Sequence, residues 1–126
     1  MSDQDTVVSH LGKLRDRAAG EADRLRRALQ EEIEVASASD DDRVDMAADV
    51  YERSKIISTI QSLEAKMRLL DHAIAMAREG RYGLCESCGT EIPIERLEIV
   101  PETTLCVTCA ARHERGVLRY FRNLEG

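Results

Sequence analysis

Large aromatic side chains are almost missing from this chain. Of its 126 residues only Tyr51, Tyr82, Tyr120 and Phe121 are aromatic, and there is no tryptophan. With so few rings and a third of all residues charged, a large globular core is excluded and elongated helices fit better. Proline is nearly as scarce. Pro93 and Pro101 are the only two, and Gly80, Gly83, Gly89 and Gly116 fall with them in the stretch 80–116. Residues 1–79 therefore contain no obligate helix breaker. No apolar run approaches the ~18 residues that a membrane span needs. No charged-then-apolar leader follows Met1-Ser2-Asp3-Gln4-Asp5, so a cytoplasmic protein is expected. No nucleophile stands with a base and there is no phosphate loop, so no enzymatic activity is expected.

Cysteine is absent everywhere except in two pairs, Cys85-Glu86-Ser87-Cys88 and Cys106-Val107-Thr108-Cys109, separated by seventeen residues. This spacing points to one structural Zn²⁺ bound by Cys85, Cys88, Cys106 and Cys109. Two residues between cysteines let both sulfurs of a knuckle converge on a tetrahedral ion. Gly89, just after the first pair, supplies the positive φ that such a turn often needs. The competing reading is redox, with the pairs as disulfides or a thioredoxin-like site; it suits an oxidising compartment better than a reducing one. His113 reads as a surface residue, since four thiolates already close the site.

Two apolar stripes occupy the proline-free region. Val7, Leu11, Leu14, Ala18, Ala22, Leu25, Leu29 and Ile33 recur every three or four residues, and so do Ile56, Ile60, Leu63, Met67, Leu70, Ile74 and Ala77. The second stripe keeps a heptad register. The polar stretch Ala36–Arg43 between them is rich in capping residues, so the simplest arrangement is a long antiparallel coiled-coil helical hairpin. At ~1.5 Å per residue its first arm is on the order of 40 Å long. A parallel dimeric coiled coil is the alternative for either stripe. Past the cysteines, Ala110–Leu124 reads as a C-terminal helix whose Val117, Leu118, Phe121 and Leu124 could dock at the base of the hairpin. The fold expected is mainly α: a hairpin over 1–79 and a four-cysteine zinc head with a C-terminal helix over 80–126.

The net charge of −6 hides an uneven distribution. Residues 31–52 hold Glu31, Glu32, Glu34, Asp40, Asp41, Asp42, Asp45, Asp49 and Glu52 against one base, Arg43. Residues 13–27 are basic on balance. Charge runs usually form solvated faces, but three consecutive aspartates add repulsion that an ordinary turn does not require. Helix capping and dipole complementation explain part of it. A hairpin end that acts on a cation or a basic partner is the other reading. The region 80–126 has six arginines against seven glutamates, a balance that predicts no basic face for phosphate binding.

Tyr82-Gly83-Leu84-Cys85-Glu86-Ser87-Cys88-Gly89, with Ile92, Arg96, Leu97, Pro101, Cys106 and Cys109, closely resembles the DksA/TraR zinc-finger family. Asp42-Arg43-Val44-Asp45-Met46-Ala47-Ala48 resembles that family's Asp-x-x-Asp-x-Ala tip, here within residues 37–48 and between the two predicted helices. The resemblance implies a monomeric regulator that binds bacterial RNA polymerase, not a specific DNA sequence. Its hairpin would enter the secondary channel, with Asp42, Asp45 and Ala47 acting near the active site on promoter-complex lifetime. The four cysteines would hold a head that sets the hairpin's angle. Two departures stand out. Arg43 replaces a frequent proline, and Leu69, Val100 and Ala110 occupy positions where basic residues of the family help bind ppGpp, so direct ppGpp synergy is expected to be weak or absent. The rival functions are a Gre-type transcript-cleavage factor, whose Asp41-Asp42 would help hold a second Mg²⁺, and a non-catalytic zinc and coiled-coil adapter.

Overall fold

The computed structural model describes residues 3–37 and 43–125, with 43–47, 121 and 125 described in backbone only. Four helices follow in order: α1 (Asp3–Ser37), α2 (Arg43–Arg78), α3 (Ile94–Ile99) and α4 (Val107–Glu125). Among the described residues the only β pairing is an isolated antiparallel bridge between Leu84 and Glu91. By their packing the residues fall into two compact units, one of Gly12–Asp71 and the other of Met1–Leu11 with His72–Gly126.

The unit Gly12–Asp71 is an antiparallel helix pair. Arg15 Nε donates to Asp71 Oδ1 at 2.6 Å, and Arg26 Nη2 donates to Glu64 Oε1 at 2.7 Å. Partner numbers on α2 fall as those on α1 rise, which fixes the antiparallel sense within one chain. The seam between the helices is the pair of stripes legible in the sequence. Ala18, Ala22, Ile60 and Leu70 are buried, while Leu14, Leu25, Leu29, Ile56, Leu63 and Met67 are half-buried. Alanines on α1 let the helix axes approach closely, and the larger Ile and Leu of α2 fill the space opposite. Gly20 lies within α1 without interrupting it, because one glycine costs only about 1 kcal/mol of helix propensity. Burial fades toward the end of α1 and the start of α2, where Ile33, Val35, Val50 and Tyr51 are exposed.

In the other unit α2 ends on a glycine stop. Gly80 takes φ +74°, the Arg81 N–H donates to the Met76 carbonyl at 2.9 Å and the Gly80 N–H to that of Ala77 at 3.0 Å. This is the paired reverse hydrogen bonding of a Schellman stop, which needs a residue free of Cβ strain. The Gln4 side chain donates to the Arg78 carbonyl, tying the first turn of α1 to this stop. Leu11, Ala73, Ile74, Met76 and Ala77 are buried here, and Cys85, Ile92 and Cys109 form a second buried cluster with Leu97, Leu105 and Cys106 against it. The short α3 is not evident from the sequence pattern. It is bounded by Pro93 in front and Pro101 behind, a preferred start and an enforced stop.

The C-terminal helix forms as expected and runs through Gly116, but its expected docking face is open. Val117 is 41% exposed, Leu118 59% and Leu124 66%, and Phe121 is described in backbone only. Among the α4 residues whose side chains are described, the buried and half-buried positions end at Ala111, because the cysteine cluster holds only the first turns.

Leu70 is fully buried in the seam. Leu70→Ala is expected to lower stability by about 2–5 kcal/mol, the range for such a truncation, whereas Val35→Ala should cost under about 0.5 kcal/mol. Urea denaturation followed by helical circular dichroism measures both.

Candidate metal centre and the acidic end of the hairpin

The four cysteines converge although the chain presents them in two distant pairs. Their Sγ atoms all lie within 4.8 Å of one another. The first knuckle is a tight turn closed by Gly89 N–H to Cys85 O at 2.8 Å and Cys85 N–H to Thr90 O at 2.8 Å. Gly89 sits at φ +77°, the left-handed conformation its place in the sequence predicts. The second knuckle opens α4: the Ala110 N–H donates to the Cys106 carbonyl at 2.9 Å, and the Cys109 N–H points at Cys106 Sγ at 3.5 Å.

The spacing of the sulfurs discriminates between metal and disulfide. Cys88 and Cys106, from different knuckles, stand 3.8 Å apart Sγ to Sγ. Four sulfurs at ~2.3 Å from a central Zn²⁺ define a tetrahedron with edges of about 3.8 Å, while a disulfide closes to about 2.05 Å. All four cysteines are free. Their electrostatics agree with a cation between them. The Cys85 thiol is drawn down to about 6, first by the backbone N–H of Cys106 and then by those of Cys88 and Ser87. Cys109 is pushed up to about 12, chiefly by the side chain of Cys106. Four thiolates this close cannot ionise together unless a dication offsets their repulsion.

The residues around the knuckles hold the cradle in shape. Arg96 Nε donates to the Leu105 carbonyl at 3.2 Å, next to Cys106, and the Tyr82 hydroxyl donates to the Pro101 carbonyl at 2.9 Å. Burial and the charge of Glu102 raise the Tyr82 pKa, which keeps that hydroxyl a donor. Gly83 takes φ +89° with Leu97 packed over it. Glu86 is not singled out by the sequence pattern, yet its carboxylate accepts from the Thr104 hydroxyl at 2.8 Å and pairs with His72 Nε2 at 2.8 Å. Spacing gives no signal of this contact, because His72 lies fourteen residues upstream on α2. His113 is exposed and outside the sulfur cluster.

Asp40, Asp41 and Asp42 lie outside the described residues, and Asp45 and Ala47 fall in the first turns of α2, described in backbone only. The described acids Glu31, Glu32, Glu34, Asp49 and Glu52 are exposed. Glu31, Glu32, Asp49 and Glu52 line an open cleft between the helices with Ala28, Val35, Ala36 and Arg53. Arg53 Nε is buried with no partner among the described residues, a feature with no counterpart in the sequence pattern. The even arginine count of 80–126 also proves uninformative about distribution. Arg112, Arg115, Arg119 and Arg122 recur at helical spacing along one exposed side of α4, so a basic stripe is present where the overall balance predicted none.

Residues 80–115 match the prokaryotic dksA/traR C4-type zinc finger. The RNA polymerase-binding transcription factor DksA of Salmonella typhimurium is 32% identical over 106 residues, covering 81% of this chain and 68% of that protein. YteA of Bacillus subtilis, an uncharacterized protein, is 40% identical over 89 residues, covering 71% of this chain and 36% of its own length. This chain therefore spans little more than a third of YteA. The structure of transcription factor DksA2 from Pseudomonas aeruginosa shares the fold at a TM-score of 0.71, with 22% identity, 89% of this chain covered and 83% of that one. The chain belongs to the DksA/TraR family, and its cofactor is one structural Zn²⁺.

Metal analysis is expected to find one zinc per chain. Cys109→Ser or a strong chelator should unfold the head, because binding to such thiolate sites contributes on the order of 10 kcal/mol or more to folding. The readout is loss of amide dispersion for residues 84–111 in NMR spectra, with the Gly12–Asp71 seam retained. Acidification should release the metal, since protons compete for the thiolates.

Proposed function

We propose that this protein is a transcription regulator that binds bacterial RNA polymerase directly and inserts the acidic end of its hairpin into the secondary channel. The reading rests on one combination. A helix pair whose described acids are exposed at its turn end belongs to a chain 32% identical, over 106 residues, to an RNA polymerase-binding factor. Residues 1–79 act as the inserting arm and residues 80–126 as the head, with Cys85, Cys88, Cys106 and Cys109 as the zinc ligands. Asp42, Asp45 and Ala47 are the residues nearest the polymerase active site, where they alter the lifetime of promoter complexes.

The protein has no chemistry of its own in this reading. Four thiolates close the metal's coordination, so no position stays open for a water or substrate, and the zinc acts by holding the fold. The protein works as a cytoplasmic monomer without sequence-specific DNA contacts. Direct synergy with ppGpp is weak or absent, because Leu69, Val100 and Ala110 offer no charge to a phosphate.

Transcription in vitro from a ribosomal-type promoter tests the tip. The Asp42→Asn, Asp45→Asn variant is expected to bind polymerase while losing most of the regulatory effect; equal regulation by variant and wild type sinks the mechanism. Adding ppGpp to a polymerase stripped of its other ppGpp site should leave the effect unchanged. Backtracked elongation complexes should show no RNA shortening, the outcome that separates this protein from a cleavage factor.

A further inference from the structure

The zinc head carries a carboxylate, that of Glu86, whose residue contacts two other segments of the chain. Glu86 lies inside the first knuckle, between Cys85 and Cys88. Its N–H donates to the Thr104 carbonyl at 2.9 Å, and its Oε1 accepts from the Thr104 hydroxyl at 2.8 Å. Thr104 stands two residues before Cys106, so this pair of bonds joins the two knuckles. The other oxygen, Oε2, pairs with Nε2 of His72 at 2.8 Å, and His72 projects from the last turns of α2. Metal binding would close the knuckles on each other, but nothing in a four-thiolate site fixes their attitude toward α2.

We infer that the His72–Glu86–Thr104 clasp is a positioning device that holds the zinc module in one orientation on the last turns of α2. The inference rests on the function proposed above, in which residues 1–79 are the inserting arm and residues 80–126 the head. The geometry suits this purpose. Hydrogen bonds to an ionised carboxylate are short and directional, and Glu86 uses a different oxygen for each partner, so the grip resists rotation as well as separation. Both side chains of the His72–Glu86 pair are partly exposed, at 50% and 35%, and exposed pairs contribute little to overall stability. Loss of the clasp should therefore alter orientation without unfolding the head. The bond needs only a hydrogen on Nε2, which one neutral tautomer and the imidazolium both supply.

Two measurements on the zinc-loaded, full chain test the clasp. In the first, made without polymerase, residual dipolar couplings of amides 72–78 and 84–105 are expected to fit one alignment tensor in the wild type and to require two in His72→Ala. His72→Gln, whose amide can still donate to Glu86, should restore the single tensor. In the second, His72→Ala should raise the protein concentration needed for half-maximal transcriptional effect by about three- to ten-fold, with zinc stoichiometry and the effect at saturation unchanged; His72→Gln should return it toward wild type. A single tensor in His72→Ala overturns the clasp. So does loss of zinc from that variant, which would make His72 part of the metal site's fold. A second tensor with no change in half-maximal concentration overturns its regulatory role. A wild-type protein without any effect on polymerase strikes the proposed function instead, and the couplings still decide the clasp.

Discussion

Four sulfurs within 4.8 Å of one another form an arrangement that the polypeptide alone does not sustain as thiolates. The side chain of Cys106 pushes the thiol of Cys109 up while the backbone N–H groups pull that of Cys85 down. A central Zn²⁺ removes the conflict and turns a costly juxtaposition into the strongest tie in its unit. The rest of the head follows from this closure. Its buried cluster is small, with Cys85, Ile92 and Cys109 at the centre, and a core of that size cannot support an independent fold without a metal or disulfide. The glycines at 83 and 89, the two prolines around α3 and the Arg96 bond to Leu105 then shape the chain between the knuckles.

The unit Gly12–Asp71 depends on a different balance. Its stability comes from apolar burial along one seam, graded from Leu70, fully buried, to the exposed Ile33 and Val35 near the end of α1. The cross-helix ion pairs, Arg15 with Asp71 and Arg26 with Glu64, lie along the well-packed length. Being exposed, they fix register more than they add free energy. No metal is needed, because long amphipathic helices bury one face continuously.

Features set by local chemistry are legible in the order of the residues alone. The heptad-like stripe from Ile56 to Ala77 is the buried or half-buried side of α2, and the stripe from Val7 to Leu29 is that of α1. Periodicity reports a helix's apolar face regardless of what covers it. The cysteine spacing and the glycine after Cys88 are equally readable, since knuckle geometry is local. What escapes such a reading depends on tertiary placement. His72 and Glu86 belong to separate elements, and neither residue type marks a partner. Arg96 has the pattern of a surface charge, and only the folded chain brings its guanidinium to the Leu105 carbonyl. The apolar residues of α4 mark a face correctly, but periodicity carries no information on whether a neighbour exists, and Val117, Leu118 and Leu124 remain exposed.

The distribution of charge along the helix pair bears on where such a protein would act. Through the packed length, Asp71 and Glu64 meet bases across the seam, and Glu21 and Asp23 meet Arg24 and Arg26 one turn away. Beyond Ala28, Glu31, Glu32 and Asp49 enter no ion pair with any described residue, and they share a cleft with Arg53, whose buried Nε has no partner among the described residues. Selection for stability alone favours a few lysines at this end, which would relieve repulsion and add pairs of the kind seen at residues 15–26. Retaining unneutralised acids where the seam is already weakest lowers stability at the place that can least absorb it. That cost is intelligible if the charge is used outside the chain. It fits the proposed function, in which the acids at this end of the helix pair meet the polymerase.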